Sequence, residues 1–127
     1  MFSYRTHHAQ VDELISLAST GIQCDFTQNN DLTKLVSILK QQITSLRAII
    51  HNASLWLDDQ QAPPMSSAYY SMFQVHVDAP LFLNEALLPL LQKSDGLQDI
   101  ISISDASVEG ANNKTLAYLA SKAALQN

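Results

Sequence analysis

At 127 residues, 46% of them hydrophobic and 15% charged, the chain has the composition of a globular domain able to bury a core of its own. A net charge of −5 with no basic cluster argues against nucleic acid as a partner. The single cysteine, Cys24, excludes an internal disulfide framework and fits a reducing, cytoplasmic compartment, and no apolar run of signal-peptide type follows Arg5, His7 and His8.

The elements alternate along the chain. Met1 to Tyr4 reads as a short apolar strand. Gln10 to Ser19 places Val11, Leu14, Ile15, Leu17 and Ala18 at helical spacing, and Gly21 breaks it before a short strand, Ile22 to Cys24, that closes on Asp25. A second helix begins at Asp31 with Leu32, Leu35, Val36, Leu39 and Ile43 on one face. Leu46 to Ile50 predicts a buried strand. Ser66 is an N-cap for a long helix reaching Leu91, in which Pro80 and Pro89 should kink or locally break the ladder. Its greasy end, Ala79 to Leu91, is interrupted by Asn84 and Glu85 and is too short to cross a bilayer. Asp99 to Ser104 is the fourth strand and Lys114 to Gln126 the last helix. Strand, helix, strand, helix at this spacing predicts an α/β domain, a parallel sheet with helices on both faces.

Chemistry concentrates in the last quarter. Asp105 is followed after twelve residues by Tyr118 and after three more by Lys122. Four apart on a helix, Tyr118 and Lys122 share a face, and an ammonium beside a phenol favours the phenolate and lowers the Tyr pKa. A Tyr so tuned can give or take a proton at physiological pH. A bare Tyr-x-x-x-Lys also recurs by chance in helices, so its weight comes from what accompanies it. His7, His8, His51 and His76 lack metal-ligand spacing, and no metal site is expected.

The flanks of the pair, Ala117-Tyr118-Leu119-Ala120-Ser121-Lys122-Ala123-Ala124-Leu125, resemble the active-site helix of the short-chain dehydrogenase/reductase family. Most members carry Ser where this chain has Asp105, and an Asp there is similar to the pteridine reductase branch. The resemblance implies that Asp105, Tyr118 and Lys122 are catalytic and that the cofactor is NADPH. Lys122 would hold the nicotinamide ribose, while Tyr118 with Asp105 supports protonation of a pterin ring nitrogen after hydride reaches the C=N carbon. Buried in a cleft, Asp105 could hold a proton near neutral pH. Its bland reading is a strand-end carboxylate capping a turn.

Tyr4-Arg5-Thr6 falls where the family chooses its nicotinamide cofactor. An acid there binds a ribose 2′-hydroxyl, whereas Arg and a hydroxyl accept a 2′-phosphate. No acid stands at that spot, which implies NADPH; outside the match Arg5 would read as an ordinary solvated side chain. In the resemblance Asp25-Phe26 sits at the adenine, with the carboxylate accepting from the ring amino group, although a turn or helix N-terminal Asp fits the sequence equally. His51-Asn52-Ala53-Ser54 resembles the family's Asn-Asn-Ala-Gly segment, and the Asn-Ala-Ser form occurs in pteridine reductases. There Asn52 ties neighbouring strands together, Ala53 keeps the backbone close to the cofactor and Ser54 belongs to the same cofactor-binding segment; His51 is assigned no chemistry. Asp78 stands where the family carries an Asn that completes a proton relay to the catalytic Lys. An ionised Asp accepts but cannot donate, and near Lys122 it would stabilise the ammonium and alter the Tyr118 pKa.

Ser3 to His7, Leu46 to Ser54 and Tyr118 to Asn127 are similar to the subgroup that reduces dihydromonapterin and also dihydrofolate. The fold implied is a Rossmann-type doubly wound parallel sheet, of which residues 1–127 form the middle half, from the second strand through the active-site helix. Gly21, Gly96 and Gly110 stand far apart, and no Gly-rich phosphate turn exists. The first strand and the C-terminal strands are therefore expected to be lacking. The strands at Met1 and Leu46 would then have nothing between them, leaving open edges and an uncovered apolar face. Alone, such a chain is expected to be inactive and marginally stable. In the family the long helix and the active-site helix build the subunit contact, which implies a homo-oligomer, dimer or tetramer; Met72, Phe73, Leu81, Phe82 and Leu83 are core or dimer surface. Two rival readings stand beside this one. A non-catalytic remnant that pairs with a full-length relative is favoured by the missing glycines and Asp78. A generic carbonyl reductase is disfavoured by Asp105 in place of Ser.

Overall fold

The computed structural model describes residues 1–17, 19–110 and 114–126; Ala18 and Asn127, on which the sequence reading also drew, lie outside them. In chain order the elements are β1 (Phe2–Tyr4), α1 (Ala9–Ser16), β2 (Gly21–Gln23), α2 (Asn29–Gln42), β3 (Ala48–His51), α3 (Ser67–Phe73), α4 (Ala79–Leu91), β4 (Asp99–Ser102) and α5 (Leu116–Leu125). A π-helical turn over Gln74–Asp78 joins α3 to α4, and a 3-10 turn over Ala106–Glu109 follows β4. The chain is thus α/β with short parallel strands.

Two separate two-stranded sheets form. Phe2 pairs with Gly21 in β1–β2, and Ala48 with Asp99 in β3–β4, both parallel. Gly21 admits no side chain easily, because a Cβ there would lie 3.0 Å from the Phe2 ring and 3.1 Å from the Tyr4 ring. In a parallel ladder successive residues bond to opposite sides. The Phe2 amide bonds Thr20 and the Tyr4 carbonyl accepts from Cys24, so the Ser3 peptide groups point away from β2. The Arg47 and His51 carbonyls accept from Asp99 and Ile103, so those of Ala48 and Ile50 point away from β4. Between these two open edges lies a cavity of about 590 Å³ lined by Phe2, Ile22, Phe26, Leu39, Ile49 and Ile50 among others. The gap expected between the strands at Met1 and Leu46 is there.

The larger core joins α2 to α4 through Leu32, Leu35, Val36, Leu83, Leu87 and Leu90, with Ile22 of β2 and Ile49 of β3 against it. A second, smaller core packs Met72 of α3 on Ala117 and Tyr118 of α5. Helix α1 is bound less firmly: among the described residues of its expected apolar face only Val11 is buried, while Leu14, Ile15 and Leu17 are exposed. The stripe on the long helical segment splits, with Met72 and Leu83 in the cores and Leu81 and Phe82 on the surface.

Ser66 caps α3 as expected, its Oγ accepting from the Tyr69 amide at 3.1 Å. Pro80, which lacks an N–H, is absorbed by the π turn just before it and sits in the first turn of α4. Pro89 does not break α4, which ends only two residues later. The third and fourth strands are shorter or shifted relative to the expected spans. Leu46 lies outside β3 because its amide bonds the Leu90 carbonyl of α4. Every residue of β4 is exposed, and among the described residues no helix is long and apolar enough to cross a membrane.

Candidate active site

Helix α5 carries Tyr118 and Lys122 one turn apart, with 6% and 3% of their surfaces exposed. Asp105 follows β4 and faces them. Its Oδ2 accepts from the Tyr118 hydroxyl at 2.7 Å, and its Oδ1 accepts from the Ser107 amide at 2.8 Å, capping the 3-10 turn. One oxygen of Asp105 thus caps the turn, as its bland reading expects, while the other meets the Tyr118 hydroxyl. Lys122 Nζ donates to the Ile103 carbonyl at 3.1 Å.

The electrostatics reverse two expectations. Asp105 is held below the ordinary carboxylate range, first by the Ser107 amide and then by Tyr118, so it is ionised rather than holding a proton at neutral pH. Tyr118 is pushed up, not down, by burial and by its bond to Asp105. Lys122 does not act on the phenol as supposed, because its ammonium is turned to the Ile103 carbonyl; burial lowers its own pKa and the Asp105 charge opposes that. The set thus consists of a phenol held by a carboxylate, with a desolvated amine one turn on.

The start of α5 is fixed from a distance. Thr115 at its N-cap makes no side-chain cap, and Asp59 supplies one instead. Its two carboxylate oxygens accept from the Leu116 and Ala117 amides at 3.1 and 3.3 Å, and its own amide donates to the Lys114 carbonyl. Nothing local in the sequence signals a cap that reaches across more than fifty residues. His76, also unassigned by sequence, lies fully buried under the same helix, its ring edge-on to Tyr118 with centroids 5.6 Å apart. A signal for it existed: positions 72, 76, 79 and 83 recur at helical spacing, and all four are buried. His51 is buried as well and bonds Asn84 of α4 at 2.7 Å, tying β3 to that helix.

Most of the expected cofactor residues converge on a second cavity of about 430 Å³ at the C-terminal ends of β1, β2 and β3. Tyr4, Arg5 and Thr6 enter it from β1, Asp25 and Phe26 from β2, and Ala53 and Ser54 from the segment after β3. This is where open parallel sheets bind ligands. Among the described residues the Arg5 guanidinium makes no hydrogen bond or ion pair, and it lines the cavity. Asp25 Oδ1 accepts from the Thr27 amide and hydroxyl at 2.9 and 2.8 Å, the turn role, which leaves Oδ2 without a described partner. Cys24 beside it is inert: burial first, then Asp31 and Asp25, push its thiol up to about 11.

Two residues fall elsewhere. Asn52 lines the larger interstrand cavity and makes no side-chain bond among the described residues, so it ties no strands together here. Asp78 ends the π turn exposed, and the groups acting on Lys122 do not include it. The turn buries Val75 and His76 instead, so the second carboxylate expected near Lys122 is not there. Among the described residues no group of three His, Cys, Asp or Glu stands together to hold a metal ion.

The short chain dehydrogenase family matches residues 3–127. The dihydromonapterin reductases of Escherichia coli K12 and of Shigella dysenteriae are 40% identical over 126 residues, covering 98% of this chain and 52% of theirs. Among solved structures, the Pseudomonas aeruginosa RhlG/NADP active-site complex superposes with a TM-score of 0.81 at 23% identity, over 98% of this chain and 52% of that one. A short-chain dehydrogenase of Escherichia coli CFT073 complexed with NADPH does so at 0.72 and 27%, over 91% and 49%. The chain spans about half the length of the relatives it matches.

Proposed function

The chain belongs to the short-chain dehydrogenase family, an oxidoreductase by that membership, and on this footing we propose that it is the middle half of an NADPH-dependent dihydropterin reductase. The observation that carries the reading is the 2.7 Å bond between Asp105 and Tyr118, with Lys122 one turn on. Generic members carry Ser at that place. The name of the 40%-identical relatives supports dihydromonapterin as substrate, with dihydrofolate second.

The residues present fit the adenine end of the cofactor. Arg5 and Thr6 would hold the ribose 2′-phosphate, an anion that suits a planar guanidinium free of other partners. Asp25 keeps Oδ2 for the adenine amino group, Phe26 flanks the ring, and Ala53 and Ser54 wall the cavity. Lys122 would hold the nicotinamide ribose. When bound, NADPH supplies hydride to the C=N carbon. Tyr118 gives its proton to the ring nitrogen, and Asp105, accepting from the phenol, orients it and opposes its ionisation before substrate arrives. Asp78, exposed, takes no part in a relay. The apolar surface of Leu81, Phe82 and Leu116 suits a homo-oligomer. A cytoplasmic location follows from the cofactor and the single cysteine.

By itself the 127-residue chain carries no Gly-rich phosphate turn, so we expect it to bind NADPH weakly and not turn over. That same absence favours a second reading, a non-catalytic partner of a related subunit. The test is NADPH oxidation by the polypeptide carrying these residues, with dihydromonapterin, dihydrofolate and a simple ketone compared. Turnover of the dihydropterins alone supports the proposal. Turnover of the ketone alone would replace it with a carbonyl reductase, and no turnover despite NADPH binding would favour the non-catalytic reading.

A further inference from the structure

The hydrogens around His76 can be assigned from its partners. Ser121 Oγ donates its one proton to the Tyr118 carbonyl at 2.7 Å, and His76 Nδ1 lies 2.7 Å from the same Ser121 Oγ. Nδ1 must therefore carry the proton and donate it to Ser121. On the other side of the ring the Leu55 amide, always a donor, points at Nε2 from 3.1 Å. Nε2 is bare, and the imidazole is neutral. Ser54 Oγ is also 3.1 Å from Nε2, so its hydroxyl donates to the ring as well. Burial and the nearby Lys122 charge oppose a second proton on the ring and hold its pKa down at about 4.

Ser54 has one proton, now donated to the His76 ring that packs edge-on to Tyr118 with centroids 5.6 Å apart, so the Tyr118 oxygen is the neighbouring acceptor to which the hydroxyl can turn, and a bond donated there favours the charged phenol. While Tyr118 is protonated and donates to Asp105, the Ser54 hydrogen rests on His76. When Tyr118 gives its proton away, the phenolate is the stronger acceptor. Nε2 keeps the Leu55 amide and is left satisfied.

We propose that Ser54 is the second hydrogen-bond donor to Tyr118, turning its hydroxyl from His76 Nε2 to the phenolate as that forms, and that His76 is the positioning residue holding Ser54 ready. The tyrosine proton goes to the acceptor nitrogen of the substrate, and the Ser54 proton stays on Ser54 and only changes partner. The proposal gives residues of the proposed active site a role in the same reaction. Its test needs neither NADPH nor substrate, so a failure of turnover leaves it standing and its own failure leaves the pterin reading standing.

The experiment places a ring-difluorinated tyrosine at position 118, which brings the phenol into the neutral range, and follows its titration by fluorine NMR. Asp105, Lys122 and His76 are the charged or titratable groups facing the site, and they are the same in every Ser54 variant. Ser54→Ala is expected to raise the midpoint by about one unit, about tenfold less phenolate at a given pH, and Ser54→Thr to leave it in place. His76→Asn, which reaches Ser121 but not Ser54, removes the acceptor on which the Ser54 hydrogen rests while the phenol is protonated and should lower it, while His76→Gln, whose amide reaches the Nε2 position, restores most of the difference. On the Ser54→Ala background His76→Asn should add nothing, because its effect runs through Ser54. An unmoved midpoint in Ser54→Ala, or a His76→Asn effect of full size without Ser54, would overturn the proposal. Should the His76 variants fail to fold, nitrogen-15 NMR of the unsubstituted protein decides: a proton on Nδ1 with Nε2 bare supports it, and a proton on Nε2 refutes it.

Discussion

Tyr118 is poised by opposition. Its hydroxyl is given to a carboxylate that is itself stabilised as an anion by the Ser107 amide, so the phenol keeps its proton until something else takes it. Because the folded pKa of Asp105 is depressed, its contribution to stability is present above the ordinary carboxylate range and is lost as pH falls through the folded value. His76 adds to this in a higher window. Its ordinary value of 6.5 drops to about 4 in the fold. Unfolded chains therefore bind the extra proton first, and stability declines as pH falls from about 6.5 toward 4, by roughly 3 kcal/mol. An NMR titration should find the His76 midpoint near 4, and a midpoint near 6.5 would contradict the burial argument. The grouping of Asp105, Tyr118 and Lys122 was legible because their spacing is local and their family match specific. The charge states were not legible, since they depend on which carbonyl Lys122 meets and which amide Asp105 caps.

Helix α5 owes its register to partners outside itself. Asp59 anchors its first turn and His76, through Ser121, its second. Asp59→Ala removes both bonds to the helix start and should cost about 1 kcal/mol, the usual worth of a cap, with Asp59→Asn recovering much of it; urea unfolding measures the difference. Equal stability of Asp59→Ala and the parent protein would mean that the helix start is held by other bonds. Apolar spacing gave the buried face of α2, with Leu32, Leu35 and Val36 in the core. It overstated α1, where the same spacing finds too little for Leu14 and Ile15 to pack against. The π turn was foreshadowed by Pro80 alone, which marks a disturbance without saying whether the helix stops or swells.

At the scale of the whole molecule, the open slot between β1 and β3 dominates. Two parallel ladders present unpaired peptide groups across a cavity of about 590 Å³ lined by apolar side chains. Amide exchange should be fast at Ser3, Ala48 and Ile50, which point into the slot, and slower at Ile49 and His51, which bond β4. Equal protection across β3 would mean that something fills the slot. The absence of a Gly-rich turn made this gap readable from sequence, and the family resemblance already put the ends of three strands on one cofactor; only the cavity they share, and its lining, needed three dimensions. The account turns on Tyr118 as the proton carrier beside that pocket. The direct test is dihydropterin-dependent NADPH oxidation by the polypeptide carrying these residues, compared with its Tyr118→Phe variant. The account predicts a fall of about 10²–10⁴-fold in rate with NADPH affinity nearly unchanged. An undiminished rate in Tyr118→Phe would contradict it.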